Sequence, residues 1–417
     1  MTLPRIPARL TALVGALCAA VVLARAPAAQ AEGNGFLVGD TARLHLMLEV
    51  EPRYDSLAGQ GGIGATNDPS IDPADVILHV RPGLKLVAPS PNVDFAGQAK
   101  LDWNYYTALL AQTGDLSYLG VELNANLVLG KDGPVGLTLD DTFSRSDRTT
   151  NPTLGLGTIT DHNTLAARLR VAPGGGAIEG GLGYNFQVES YELSKAANIG
   201  CTEDVCNGTK YGQYGSQTHA FSLDARWKFL PKTAIVFDAT ETLRVYDTQS
   251  ANVPVSPLRI EGGLAGLLTE KVRFVLKGGY LNTFSSGQVN FVGMIGQAEL
   301  AFMPIEAASL SAYGQRSVEP VSATYAWYED WRFGLAGKIL IAGRLSLTAD
   351  GHLDRLAYGD AVGRSDLMGT LEAQAALEIR KELTVSLGTI LNTRQSSDDP
   401  LFTYNRAEVY LRVTVDY

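Results

Sequence analysis

The chain has 417 residues, of which 45% are hydrophobic and 19% charged, with 44 Gly, 17 Tyr, 3 Cys and a formal charge of −10 at pH 7. Gly is enriched and charge is sparse for a soluble domain; the acidic balance excludes a nucleic-acid binder, and three Cys exclude a disulfide scaffold. One pattern of alternation and turn runs from end to end without linker composition, which points to a single large domain.

Arg5 and Arg9 precede an apolar run from Leu10 to Ala24, followed by Pro27 and Ala29-Gln30-Ala31. A charged start, an apolar run too short to span a bilayer and a small-residue site predict a secretory signal peptide over 1–31, cut before Glu32. Cys18 is not read as a lipid-attachment site, because Leu17 stands where a small residue is needed. Cleavage removes three of the 34 basic residues and none of the 44 acids, so 32–417 carries −13.

After residue 31 no run of 18 apolar residues occurs, so no transmembrane helix is predicted. Apolar and polar side chains instead alternate with period 2, the signature of strands with two unlike faces. In the last segment Ala407, Val409, Leu411, Val413 and Val415 face one way, and Arg406, Glu408, Tyr410, Arg412 and Thr414 the other. Strands are predicted at 42–56, 75–89, 93–110, 118–130, 134–147, 160–172, 177–191, 217–229, 233–247, 257–268, 271–284, 288–303, 307–318, 323–341, 344–358, 365–379, 382–395 and 402–417. Eighteen strands of this length make too wide a sheet to stay open. The predicted fold is all-β: a transmembrane antiparallel up-and-down β-barrel of about 18 strands over 32–417, oily face to lipid and ionic face to water.

Tight turns such as Ser90-Pro91-Asn92, Lys131-Asp132-Gly133 and Leu230-Pro231-Lys232 define an inner, periplasmic rim. The longer connections from Leu57 to Ala74 and from Ser194 to Ser216 fall on the outer rim. Trp103, Tyr105, Tyr106, Tyr184, Tyr246, Tyr280, Trp327, Tyr328 and Tyr358 stand at outer strand ends and are predicted to form an interfacial girdle. Cys201 and Cys206 share the longest outer loop, in an oxidising compartment, and are expected to form a small disulfide.

The final Val413-Thr414-Val415-Asp416-Tyr417 ends on an aromatic residue with apolar residues at alternate positions before it. It resembles the carboxy-terminal assembly signal of outer-membrane proteins, with Val413, Val415 and Tyr417 as signal residues and Arg412 where Gly is common. More broadly, 32–417 looks like the barrel-only outer-membrane proteins of exopolysaccharide secretion, of the β-barrel porin type, in size, strand number and lack of accessory domains. That resemblance implies a Gram-negative outer-membrane conduit for a polysaccharide. It also implies insertion into outer-membrane lipid by the barrel-assembly machinery, and periplasmic polysaccharide-export proteins as partners. Two alternatives stay open: a general diffusion porin for small hydrophilic solutes, and a non-conducting receptor or adhesion barrel.

The stretch between Glu32 and the strand at 42 is too short for the plug of energised siderophore receptors. Chemistry is expected in the lumen. The register turns Glu49, Glu122, Glu261, Asp350, Glu372 and Glu408 inward against Arg43, Arg81, Lys100, Arg168, Arg170, Arg226, Arg273 and Arg412. The signs nearly balance, giving a cross-strand ion-pair lattice that binds water and hydroxyl-rich solutes. Arg placed at Tyr410 is expected to be tolerated in such a lumen. No catalytic, metal or cofactor site is predicted: Ser216 and His219 read as a loop pair without a third group to orient a base, and Gly174-Gly175-Gly176 reads as a turn, with neither the Lys-Ser/Thr nor the helix of a phosphate loop after it.

Overall fold

The computed structural model describes residues 35–59, 73–107, 117–147, 158–174, 176–193, 214–247, 255–285, 290–320, 326–359, 363–397 and 403–417. The predicted signal peptide, Cys201 and Cys206 lie outside the described residues. Nineteen strands occur in chain order: β1 (Phe36–Val38), β2 (Ala42–Asp55), β3 (Asp75–Pro89), β4 (Val93–Tyr106), β5 (Tyr118–Leu129), β6 (Val135–Ser146), β7 (Thr158–Val171), β8 (Ile178–Leu193), β9 (Ser216–Leu230), β10 (Thr233–Tyr246), β11 (Leu258–Thr269), β12 (Val272–Asn282), β13 (Val292–Ile305), β14 (Ala308–Pro320), β15 (Trp327–Ile341), β16 (Leu345–Tyr358), β17 (Ser365–Arg380), β18 (Leu383–Ser396) and β19 (Tyr404–Asp416). No helix among the described residues is long and apolar enough to cross a membrane.

From β2 to β19 each strand pairs antiparallel with the next, and β19 returns to β2 through pairs running from Glu408↔Asp55 to Asp416↔Met47. Eighteen strands thus close into a ring, in which every ladder has a partner on both sides and no sheet edge is left open. The short β1 was not anticipated, because three residues carry no readable period. It pairs with the start of β2 (Phe36↔Leu44, Val38↔Ala42), where β19 has run out: Tyr417 exchanges backbone hydrogen bonds of 2.8 and 2.9 Å with Leu46. The ring of Phe36 meets that of Tyr417 at 5.1 Å. Tight turns close the inner rim. At Gly130, φ is 64° and a Cβ would lie 2.6 Å from the Val135 carbonyl oxygen, so only glycine fits that turn.

Alternation gives the ring two faces. On β4, Leu101, Trp103 and Tyr105 are exposed while Lys100, Asp102 and Asn104 take the other face, and β5, β17 and β19 repeat the arrangement. Ion pairs on the polar face skip strands: Arg168 on β7 reaches Asp224 on β9, Arg244 on β10 reaches Glu189 on β8, and Arg259 on β11 reaches Glu319 on β14. Arg244 also reaches the Pro320 carbonyl at the end of β14, four strands along the ring; a contact of that span crosses the concave side of the cylinder, so the polar face is the interior and the outside is largely apolar.

Two expectations about faces are corrected. Tyr106, Tyr246, Tyr328 and Tyr358 do not join an outer girdle. Each stands at an even position, in phase with inward groups such as Arg244 and Asp354, and Tyr106, Tyr246 and Tyr358 are buried in the interior. Trp103, Tyr105 and Tyr280 are exposed on the outside. Nor is the outer face uniformly oily. Over β6 to β10 it carries Asp141, Arg145, Asp161, Glu192 and Glu241, with Asp141 accepting a hydrogen bond from Asn163 (3.3 Å) and Arg145 bridging Asp161 (2.7 Å) and Glu192 (2.6 Å). Ser216 and His219 lie within β9 rather than in a loop. His219 points outward, 2.9 Å from the Tyr184 hydroxyl.

Candidate functional site

The interior wall divides by depth. Toward the outer rim, β19, β2, β3 and β4 hold a packed lattice of charge. Glu51 is fully buried and takes Arg53 (2.5 Å), Arg412 (2.6 Å) and Arg81 (3.4 Å). Arg81 also pairs with Glu49 and with Asp102 (2.8 Å), which His79 meets at 3.1 Å. Arg53 reaches Glu408 (2.7 Å), and Arg406 reaches Asp55 (2.6 Å). Alternation supplies these contacts: Glu49, Glu51, Arg53 and Asp55 are every second residue of β2, and the register sets Arg81 against Glu49 and Arg53 against Tyr410.

Tyr410 is 8% exposed, and the guanidiniums of Arg53 and Arg412 lie 5.2 and 5.0 Å from its ring centroid. This overturns the expectation that Arg would be tolerated there, since a third cation would replace the π-face that the other two share. A second packed cluster sits at the outer ends of β16 to β18, where Asp366 takes Arg364 (2.8 Å) and Arg394 (2.5 Å) beside Tyr358. On β15 and β16, Arg332 meets Asp354 at 2.6 Å, and Asp350 accepts from Tyr313 (3.3 Å) and contacts His352 (3.2 Å).

Toward the inner rim the wall is looser. Arg168 pairs with Asp224 at 2.6 Å and Arg273 with Glu299 at 2.8 Å, while Lys100 and Glu122 meet at 3.8 Å nearer mid-height. Side-chain exposure is 47% for Arg168 and 55% for Arg273, against 0 to 1% for Glu51, Asp55 and Glu408 above. Arg43 and Arg226 are exposed on the inner half, and Arg170 donates to the turn carbonyls of Lys131 (2.9 Å) and Gly133 (3.1 Å). In that turn the Asp94 carboxylate, hydrogen-bonded to Lys131, holds the lysine ammonium above its ordinary range. Glu261 stands directly opposite Asp238, and Glu372 opposite Asp350; neither glutamate pairs with a described cation. Val413 and Val415 belong to the outward set of β19, and Tyr417 ends at the β1–β2 junction.

Between these zones, β8 to β11 and the end of β14 enclose a recess of about 480 Å³ below the outer mouth. Arg244 draws it together, donating to Glu189 (2.7 Å) and to the Pro320 carbonyl (2.9 Å), while Arg259 meets Glu319 at 3.1 Å. The outer end of β14 is thereby drawn toward β10 and β11. Glu189 and Arg244 were not singled out from the sequence, although their parity within β8 and β10 places both inward. The contacts of β14 with β10 and β11 have no signal in a one-dimensional pattern.

No family model and no curated protein matches the chain. Among solved structures the barrel is similar to OccAB2 of Acinetobacter baumannii, at 9% identity over 90% of this chain and 98% of that one, with a TM-score of 0.49. It is similar to OpdO of Pseudomonas aeruginosa at 11% identity over 90% and 97% of the two chains, with a TM-score of 0.47. The siderophore receptor PirA of Pseudomonas aeruginosa gives 9% identity over 91% and 81%, with a TM-score of 0.44.

Proposed function

We propose that this chain is an outer-membrane channel through which small hydrophilic solutes diffuse. One observation carries the reading: eighteen strands close into a ring with a charged, hydrogen-bonding interior and an apolar exterior. A closed barrel is the β architecture that leaves no backbone group unpaired in hydrocarbon, and rings of 16 to 18 strands enclose an aqueous bore rather than a filled core. A secretory signal peptide over 1–31 accounts for delivery to the envelope. The exposed inner-half charges suit a wide periplasmic vestibule. The ion-pair lattice and the Arg244–Pro320 and Arg259–Glu319 contacts suit a narrower outer half.

That narrowing favours small solutes over a polysaccharide chain, whose passage is limited by the tightest point of the bore. The export role implied by the sequence resemblance therefore yields to the porin reading. Liposomes containing the purified chain are expected to swell in isosmotic arabinose or glycine at rates that fall with solute size. Swelling no faster than in protein-free liposomes would overturn the proposal. Swelling that stays equally fast for large oligosaccharides would return the reading to polymer export.

A further inference from the structure

The recess between β8 and β14 has a chemical character apart from the rest of the lumen. Its charged groups are already engaged with one another: Arg244 with Glu189 and the Pro320 carbonyl, Arg259 with Glu319. The groups left over are neutral. Asn185, Gln187, Thr218, Ser222, Thr240 and Thr242 line the recess, and among the described residues none of these side chains finds a hydrogen-bond partner. The register explains why they converge: Gln187 and Arg244 both stand opposite Thr218, and Thr240 stands opposite Ser222, so six neutral polar groups from three strands share one patch of wall.

Two atoms make the patch more than a wet surface. Thr218 Oγ1 and Arg244 Nε are buried and have no hydrogen-bond partner, a condition that buried polar groups rarely tolerate. Behind the recess Leu281 and Val318, each 1% exposed, pack with Phe291 and Ile295 into a buried apolar cluster that fixes the end of β14 in place. Amides and hydroxyls both donate and accept, so this set matches a ligand whose own groups do both. An anionic or cationic solute would gain from the recess only by breaking the Arg244–Glu189 or Arg259–Glu319 pair.

We propose that the recess is a binding site for a neutral polyhydroxylated solute of one or two sugar rings. The ring hydroxyls bond to the amides and hydroxyls of β8 to β10, on the wall that the buried Leu281–Val318 cluster holds opposite the end of β14. A volume of about 480 Å³ falls in the range of about 300 to 1,000 Å³ usual for small-molecule sites. The inference rests on the channel reading for how the solute arrives, but its test does not.

Maltose titrated calorimetrically into the detergent-purified barrel should give saturable one-site binding. Thr218→Val and Gln187→Leu should each weaken it about tenfold, the loss of one well-placed hydrogen bond, and Thr218→Ser should restore most of it. Sodium gluconate should bind more weakly than maltose. Absence of saturable maltose binding to the wild-type barrel would overturn the site, as would tighter binding of gluconate or unchanged affinity in both variants. Conductance without maltose binding sinks the site and leaves the channel standing. Maltose binding without conductance keeps the site and sinks the channel.

Discussion

Glu51 and Glu372 are both inward-facing glutamates, and their surroundings set opposite expectations. Glu51 is fully buried under Arg53, Arg81 and Arg412, so Glu51→Ala leaves three guanidiniums without their shared anion. The expected loss is about 3 to 5 kcal/mol, read as a lower urea midpoint for unfolding in lipid vesicles. Glu372 is exposed, faces the like-charged Asp350 and pairs with no described cation, so Glu372→Ala should change stability by no more than about 0.5 kcal/mol. Equal losses would mean that the buried lattice is not what holds the outer half together. Parity made both residues legible as inward in the sequence. Their difference was not, because burial depends on which side chains converge from strands hundreds of positions apart, as Arg412 does on Glu51.

Strands are where the sequence spoke most clearly. Val409 is 46% exposed on the outer face near the middle of β19, so Val409→Arg should cost about 2 to 4 kcal/mol at the bilayer midplane and reduce the heat-modifiable folded form on gels. Wild-type folding yield in that variant would contradict the assignment of faces. Asp141, exposed outward at the middle of β6 with Asn163 as its donor, runs the other way. Asp141→Leu should leave assembly intact and raise the urea midpoint, because a carboxylate on the lipid face is unfavourable; a lowered midpoint would show that the carboxylate is needed where it stands. Alternation located eighteen strands and nearly all their inward charges because period 2 is intrinsic to the strand. Tyr106, Tyr246, Tyr328 and Tyr358 stand at strand ends, a place that suggests an interfacial girdle, but their parity turns them inward. The three residues of β1 lie below what any period can reveal.

At the scale of the whole barrel, ring closure is legible as a count of strands, while the bore is not. Its width depends on how far wall side chains reach and on the Arg244–Pro320 and Arg259–Glu319 contacts that draw β14 toward β10 and β11. Glu122 on β5, Glu261 on β11 and Glu372 on β17 stand well apart around the ring. Trp at all three should narrow the passage from three sides, whereas Gln at all three removes charge at nearly constant size. The most direct measurement is the single-channel current of the purified chain in a planar bilayer, compared with these two triple variants at equal folded abundance. A passive aqueous channel predicts discrete, ohmic current steps for the wild type, clearly smaller steps for the Trp variant and nearly unchanged steps for the Gln variant. A folded wild-type barrel that gives no steps, or a Trp variant that conducts as the wild type does, would contradict it.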